Sequence, residues 1–179
     1  MSYDSEFRRR AEQLEWVLCD VDGVLTDGSL YMEGKGETLK VFHVRDGLGL
    51  KMARSVGLQI GLLSARSSAA LARRASQLGI DVVMTGREDK LAAFEEFLRR
   101  EKTNASRVAY IGDDLNDLAV LGRCGLAFAP ADAAPELGDL VHLRLERPGG
   151  RGAVREMIEH LLKARGEWSR VLSEFSLER

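Results

Sequence analysis

Two acidic strings, each placed directly after a short apolar run, constrain this 179-residue chain more than any other feature. Trp16 to Leu18 leads into Asp20, Asp22 and Asp27 in the string DVDGVLTDG, and Arg107 to Ile111 leads into Asp113, Asp114 and Asp117 in GDDLND. An apolar run ending in this way reads as a buried strand whose C-terminal end opens into a loop. Unpaired carboxylates at such a point are costly to bury unless a cation or hydrogen-bond donors compensate them. Ligands of open α/β sheets bind beyond the C-terminal strand ends, so the two clusters are expected to face each other across one sheet edge. An all-oxygen site of this kind suits Mg2+, which keeps waters and takes a substrate phosphate as a further ligand.

The rest of the chain fits that placement. Leu30 to Val44 reads as a β-hairpin, because Tyr31, Thr38, Val41 and Phe42 favour strands and Gly34, Lys35 and Gly36 supply a permissive turn. A helix is expected from Asp46, as N-cap, through about Ser55, followed by an apolar strand at Leu58 to Leu63. Further helices are expected at Ser67 to Leu78, Glu88 to Arg100 and Asp114 to Arg123, with strands at Val82 to Met84, Leu126 to Phe128 and Leu140 to Leu143. Val154, Met157, Ile158, Leu161 and Leu162 mark one face of a final helix. Alternating strands and helices predict an α/β chain with a Rossmann-like, doubly wound parallel sheet and helices on both faces. Residues 1–179 read as one domain with a hairpin at 30–44, and with a tail at 166–179 that is either free or docked on a neighbour.

Composition narrows the function. With 45% hydrophobic and 30% charged residues the chain is neither disordered nor a membrane span. A formal charge of −2 gives no attraction to nucleic acid or to an anionic membrane surface. A chain of this size holds its core without a metal staple, so a bound metal would serve chemistry. Cys19 and Cys124 lie in apolar stretches and read as reduced structural thiols in a cytoplasmic protein. Arginines 8 to 10 precede a polar segment, unlike a signal peptide. His142 and His160 lack the spacing of a metal pair.

DVDGVLTDG, Ser64 at the end of a strand, Lys90 at the start of a helix and GDDLND together resemble the four ordered motifs of the haloacid dehalogenase superfamily, over residues 16 to about 130. The resemblance implies that Asp20 is the nucleophile of an aspartyl-phosphate mechanism and Asp22 the acid and base. It implies Mg2+ held by the Asp20 carboxylate, the Asp22 backbone carbonyl and the Asp113 carboxylate, with Asp117 and Asp114 behind them. Ser64 would donate to a phosphoryl oxygen and Lys90 would neutralise charge there. Taken singly, a strand-end serine caps the next helix and a helix-face lysine is solvated; order and context carry the assignment.

The interval between the first motif and Ser64 has room only for a hairpin and one helix, which resembles the capless members of that superfamily. An uncovered site needs walls, and symmetric association would supply them. The hairpin with VRDG (Val44 to Gly47), Arg66 after Ser64, and GGRGAVRE (Gly149 to Glu156) resemble the 3-deoxy-D-manno-octulosonate 8-phosphate phosphatases, a capless and tetrameric family of lipopolysaccharide core synthesis. This implies a sugar-phosphate substrate, a homotetramer whose subunits complete one another's sites, and Arg66 on the substrate carboxylate or phosphate. Gly47 and Arg151 are further candidate substrate contacts. GGRG could cradle an anion, although such turns are more often plain loops. Tyr31, His43 and Arg45 could line the rim, or Tyr31 and His43 could pack across strands. Ala65 and Ser67 stand where the family has glycine and an acidic residue. Relatives acting on nine-carbon, sialic-acid-like 9-phosphates carry glutamate in place of the arginine, which favours the eight-carbon sugar. Those relatives, a noncatalytic assembly module of the kind fused to sialic-acid cytidylyltransferases, and a mutase are the alternatives.

Overall fold

The computed structural model describes residues 3–34 and 36–176. The first element is one the sequence pattern hides: helix α1 (Ser5–Gln13), capped by the Asp4 carboxylate, which accepts from the Phe7 amide at 2.7 Å. Only Phe7 and Ala11 of α1 are buried, a stripe too thin to show as periodicity. Strand β1 (Trp16–Cys19) is buried throughout. Strands β2 (Tyr31–Glu33) and β3 (Gly36–Leu39) form the antiparallel hairpin; Lys35, one of the expected turn residues, lies outside the described residues.

Helix α2 (Val44–Ser55) starts two residues before Asp46 and corrects the expected cap. His43 is the N-cap, its Nδ1 accepting from the Arg45 amide, while Asp46 turns inward and accepts from the amides of Gly152 and Arg155. Next come β4 (Gln59–Leu63), α3 (Ala69–Leu78) capped by Ser68, β5 (Val82–Met84), α4 (Lys90–Arg100) capped by Asp89, and β6 (Val108–Ile111). The helix expected over 114–123 is a 3-10 turn at Leu115–Asp117 followed by the single turn α5 (Leu118–Leu121). Asp114 and Asp117 form a reciprocal capping box there, which tightens the start. Strand β7 (Leu126–Ala129) pairs with β8 (Leu143–Arg144), which begins three residues later than expected. The His142 imidazole takes the Ala127 amide at 3.0 Å, and regular pairing begins only at Leu143.

The six parallel strands run β5-β4-β1-β6-β7-β8, so the chain crosses from one side of β1 to the other and creates a switch point there. This is the Rossmann-like arrangement expected. Alternate residues of β1 enter two cores: Val17 and Cys19 join residues of α1, α2, α3 and of α6 (Ala153–Ala164), whereas Trp16 and Leu18 join residues of α4 and α5. The tail forms α7 (Trp168–Ser176) and docks on its own chain: Val171 is fully buried, Trp168 packs against the first core, and Arg170 donates to the Ser55 carbonyl at 2.8 Å. Residues 177–179 of the expected tail lie outside the described residues. Both cysteines are free and buried. Among the described residues, no helix is long and apolar enough to cross a membrane.

Candidate active site

Asp20 follows β1 and is still tied to the sheet, its amide donating to the Ile111 carbonyl at 3.0 Å. Its side chain is nearly buried, and Oδ1 lies 2.9 Å from Nζ of Lys90, the first residue of α4. The same ammonium lies 2.6 Å from Oδ1 of Asp117. Asp117 Oδ1 also accepts from the Tyr110 hydroxyl, and Oδ2 accepts from the amides of Asp113 and Asp114 at 3.1 and 3.4 Å. The loop of Gly23 comes close to this group: a Cβ on Gly23, whose φ is +86°, would stand 1.9 Å from Asp113 Oδ2.

Carboxylate oxygens of Asp20, Asp113 and Asp117 lie within 4.8 Å of one another. Three carboxylates against one ammonium leave an excess of two negative charges when all are ionised, which one divalent cation would balance. The titration behaviour agrees. Burial, reinforced by the Asp117 charge, pushes Asp113 up to about 6. Burial and then Asp117 hold Asp20 well above the usual carboxylate range, with Lys90 pulling the other way. Burial works to lower Lys90, but the charges of Asp20 and Asp117 outweigh it and raise it. Both Asp117 oxygens are already taken by four donors, so ion ligands would come from Asp20 and Asp113, with Asp117 orienting Lys90 and the second loop.

A cleft of about 190 Å³ above these groups is lined by Asp20, Asp22, Ser64, Ala65, Arg66, Lys90, Asp113, Asp114 and Asn116. Ser64 is buried at the end of β4; its Oγ accepts from the Arg66 amide and donates to the Arg66 carbonyl, both at 3.1 Å. Arg66 is exposed at the mouth. Asp114 caps the 3-10 turn through the Leu115 amide at 2.8 Å.

Three expected participants lie elsewhere. Gly47 packs inside α2, where a Cβ would come 2.3 Å from Nη2 of Arg74, and does not line the cleft. Asp27 accepts from the Ser29 amide and faces Arg151 at 3.6 Å, outside the carboxylate cluster. Arg151 is exposed and also outside the cleft lining. The GGRG turn is no anion cradle, because its amides are spoken for: Gly149 donates to Asp132, Gly150 to the Val24 carbonyl, Arg151 to the Pro148 carbonyl and Gly152 to Asp46. Of the rim candidates, His43 caps α2, Tyr31 is exposed opposite Leu39, and Arg45 lines a separate cleft with Arg147 and Arg155.

One contact was not foreseen. Lys40, just after β3, forms a salt bridge with Asp22 Oδ1. In the sequence Leu39, Lys40 and Val41 read as an ordinary alternating strand, and only the structure shows Leu39 and Val41 facing outward around a lysine that faces inward.

Residues 63–143 match the model of the haloacid dehalogenase-like hydrolases. Over 162 residues the chain is 42% identical to the 3-deoxy-D-manno-octulosonate 8-phosphate phosphatase KdsC of Haemophilus influenzae, covering 90% of each. The chain belongs to this phosphatase family of haloacid dehalogenase-like hydrolases. Two solved structures of that phosphatase family extend the likeness. The Yersinia pestis phosphatase superposes with a TM-score of 0.88 at 39% identity, over 92% of this chain and 89% of that one. The Moraxella catarrhalis phosphatase, solved with a magnesium ion, a phosphate ion and a KDO molecule, gives 0.92 at 33% identity, over 97% and 99%.

Proposed function

We propose that this chain is a Mg2+-dependent phosphomonoester hydrolase that acts on 3-deoxy-D-manno-octulosonate 8-phosphate through an aspartyl-phosphate on Asp20. The carrying observation is the Asp20 carboxylate, buried at the central strand end, held by Lys90 and facing Asp113. Asp20 attacks phosphorus as the ester P–O bond breaks, and Asp22 hands a proton to the leaving alkoxide. Asp22 then takes a proton from the water that attacks the aspartyl-phosphate, which frees Asp20 and inorganic phosphate. Ser64 turns its hydroxyl from the Arg66 carbonyl to a phosphoryl oxygen, and Lys90 offsets charge shared between that oxygen and Asp20. The Asp20 and Asp113 carboxylates and the Asp22 backbone carbonyl would hold Mg2+, whose charge lets an anionic nucleophile meet an anionic phosphate. Arg66 binds the sugar-acid carboxylate through its planar guanidinium.

Residues 1–179 act as one domain. The hairpin and the chain that leads from it to the first residue of α2 expose Leu30, Tyr31, Met32, Leu39, Val41 and Val44, an apolar surface that supports association into a homotetramer whose subunits wall the site. The two free thiols and this sugar-phosphate chemistry support a cytoplasmic setting. The test is phosphate release from the eight-carbon, nine-carbon and simple hexose phosphates, with Mg2+ and with chelator. Preference for the eight-carbon substrate, lost with chelator and in Asp20→Asn, is expected; a flat profile sinks the substrate assignment, and silence on all three sinks the hydrolase reading. Sedimentation equilibrium tests the tetramer.

A further inference from the structure

The side chain of Lys40 is only 2% exposed, although its neighbours Leu39 and Val41 are each more than half exposed. The segment after β3 therefore turns its apolar side chains outward and its ammonium inward, the reverse of what burial of apolar surface favours. An ammonium so enclosed needs a carboxylate, and here Nζ meets Asp22 Oδ1. Asp22 is itself 22% exposed and lines the cleft beside Asp20, Lys90 and Asp113.

We propose that Lys40 is a positioning residue for proton transfer: it occupies Asp22 Oδ1 so that the transferable proton resides on Oδ2, toward the leaving group. The inference rests on the reading of Asp22 as acid and base. A proton on Oδ1 would set an O–H donor against an N–H donor, so the pairing selects one oxygen and one rotamer of the carboxyl group. In the first half-reaction the Oδ2 proton passes to the bridging oxygen as the ester P–O bond breaks and the Asp20–phosphorus bond forms. In the second, Oδ2 receives a proton from water as the water oxygen bonds to phosphorus and the bond to Asp20 breaks. Lys40 keeps its own proton throughout. The chain just after β3 thereby takes part in the chemistry through Asp22.

A merely structural bridge would affect all substrates alike, whereas a positioning role depends on how much the leaving group needs its proton. The experiment compares kcat/KM, which covers only the steps through departure of the leaving group, for the eight-carbon sugar phosphate and for p-nitrophenyl phosphate, whose phenolate leaves unprotonated. Lys40→Met is expected to lower the sugar-phosphate value by about 100-fold and the p-nitrophenyl value by less than about threefold. Lys40→Arg should restore most of the loss, and Lys40→Gln serves as a milder removal read in the same way. A near-normal kcat/KM for p-nitrophenyl phosphate shows that a variant is folded. Equal losses on both substrates in Met and Gln variants, or no loss on the sugar phosphate, overturn the inference while wild-type activity leaves the hydrolase reading standing. A wild-type chain silent on both phosphates overturns that reading first.

Discussion

The amide of Gly150 donates to the carbonyl of Val24 at 2.8 Å, which fastens the turn before α6 to the back of the loop carrying Asp20 and Asp22. Beside it, Gly149 lies so close that a Cβ would stand 1.8 Å from the Gly23 carbonyl oxygen. Gly149→Ala must push two backbones apart, with an expected stability loss of about 1–3 kcal/mol. Phosphate release should fall at least about tenfold, because the displaced loop carries the nucleophile. Thermal unfolding and turnover check this; a wild-type melting temperature with wild-type turnover contradicts it.

Lys90 sits between two buried carboxylates, so Lys90→Met leaves Asp20 and Asp117 without their shared cation. Removing one partner from such a buried group is expected to lower stability by about 3–5 kcal/mol, with part of the loss restored by Mg2+. Urea unfolding with and without the ion measures both. An unchanged midpoint would show that Lys90 is not what balances these charges.

Arg66 is expected to select substrates by their carboxylate. Arg66→Ala should raise KM for the eight-carbon sugar-acid phosphate by about 10- to 100-fold, the range of a charge-assisted hydrogen-bond pair, and leave KM for a hexose phosphate within about threefold. Equal effects on the two would assign the guanidinium to the phosphate.

Two half-buried histidines are expected to contribute less to stability as pH falls, against the raised carboxyls of Asp20 and Asp113, which work the other way. The Tyr3 hydroxyl lies 2.7 Å from Nδ1 of His160, and His142 Nδ1 accepts from the Ala127 amide. Burial holds both below the ordinary value of 6.5, aided at His142 by Arg10 and opposed at His160 by Glu156. A base whose folded value is depressed favours the neutral ring, so its contribution is complete above pH 6.5 and is lost as pH falls below it. The histidine share is read by difference: between pH 8 and pH 5 the melting temperature of His160→Gln should fall less, or rise more, than that of the wild-type chain. An unchanged slope in that variant would remove His160 from the account.

Val171 anchors α7, and Val171→Asp would bury an unpaired charge against α6 and its surroundings. The expected loss is about 3 kcal/mol or more, seen as a lowered unfolding midpoint with kcat/KM unchanged at temperatures where the chain stays folded. A large loss of kcat/KM in the folded variant would instead link α7 to the cleft.

What could be read from the chain was local. Asp20 and Asp113 stand where apolar strands end, and that transition is visible within about ten residues of sequence. Ser64 and Lys90 could be placed because each closes or opens an element whose own pattern is clear. The rest depends on partners distant in sequence. Nothing near Lys40 indicates that it will meet Asp22, and the pattern around it argued for an ordinary strand. Gly47 and Arg151 lie in glycine-containing strings that suggest ligand contact, yet the glycines serve close packing against Arg74 and against the first acidic loop. Helix α1 buries too few residues to be periodic, and the inward turn of Asp46 is explained only by the amides of Gly152 and Arg155, more than a hundred residues away.

The central position of β1 has a consequence for the durability of the chemistry. Its amides are shielded by ladders on both sides, and the Asp20 amide is bonded to Ile111, so solvent reaches them only when the six-stranded sheet opens. The hairpin is a two-stranded sheet of its own, joined to the nucleophile's loop through Lys40 and Asp22. Deuterium uptake should therefore be slow at the nucleophile, leaving the phosphate-accepting part of the machinery as durable as the fold itself.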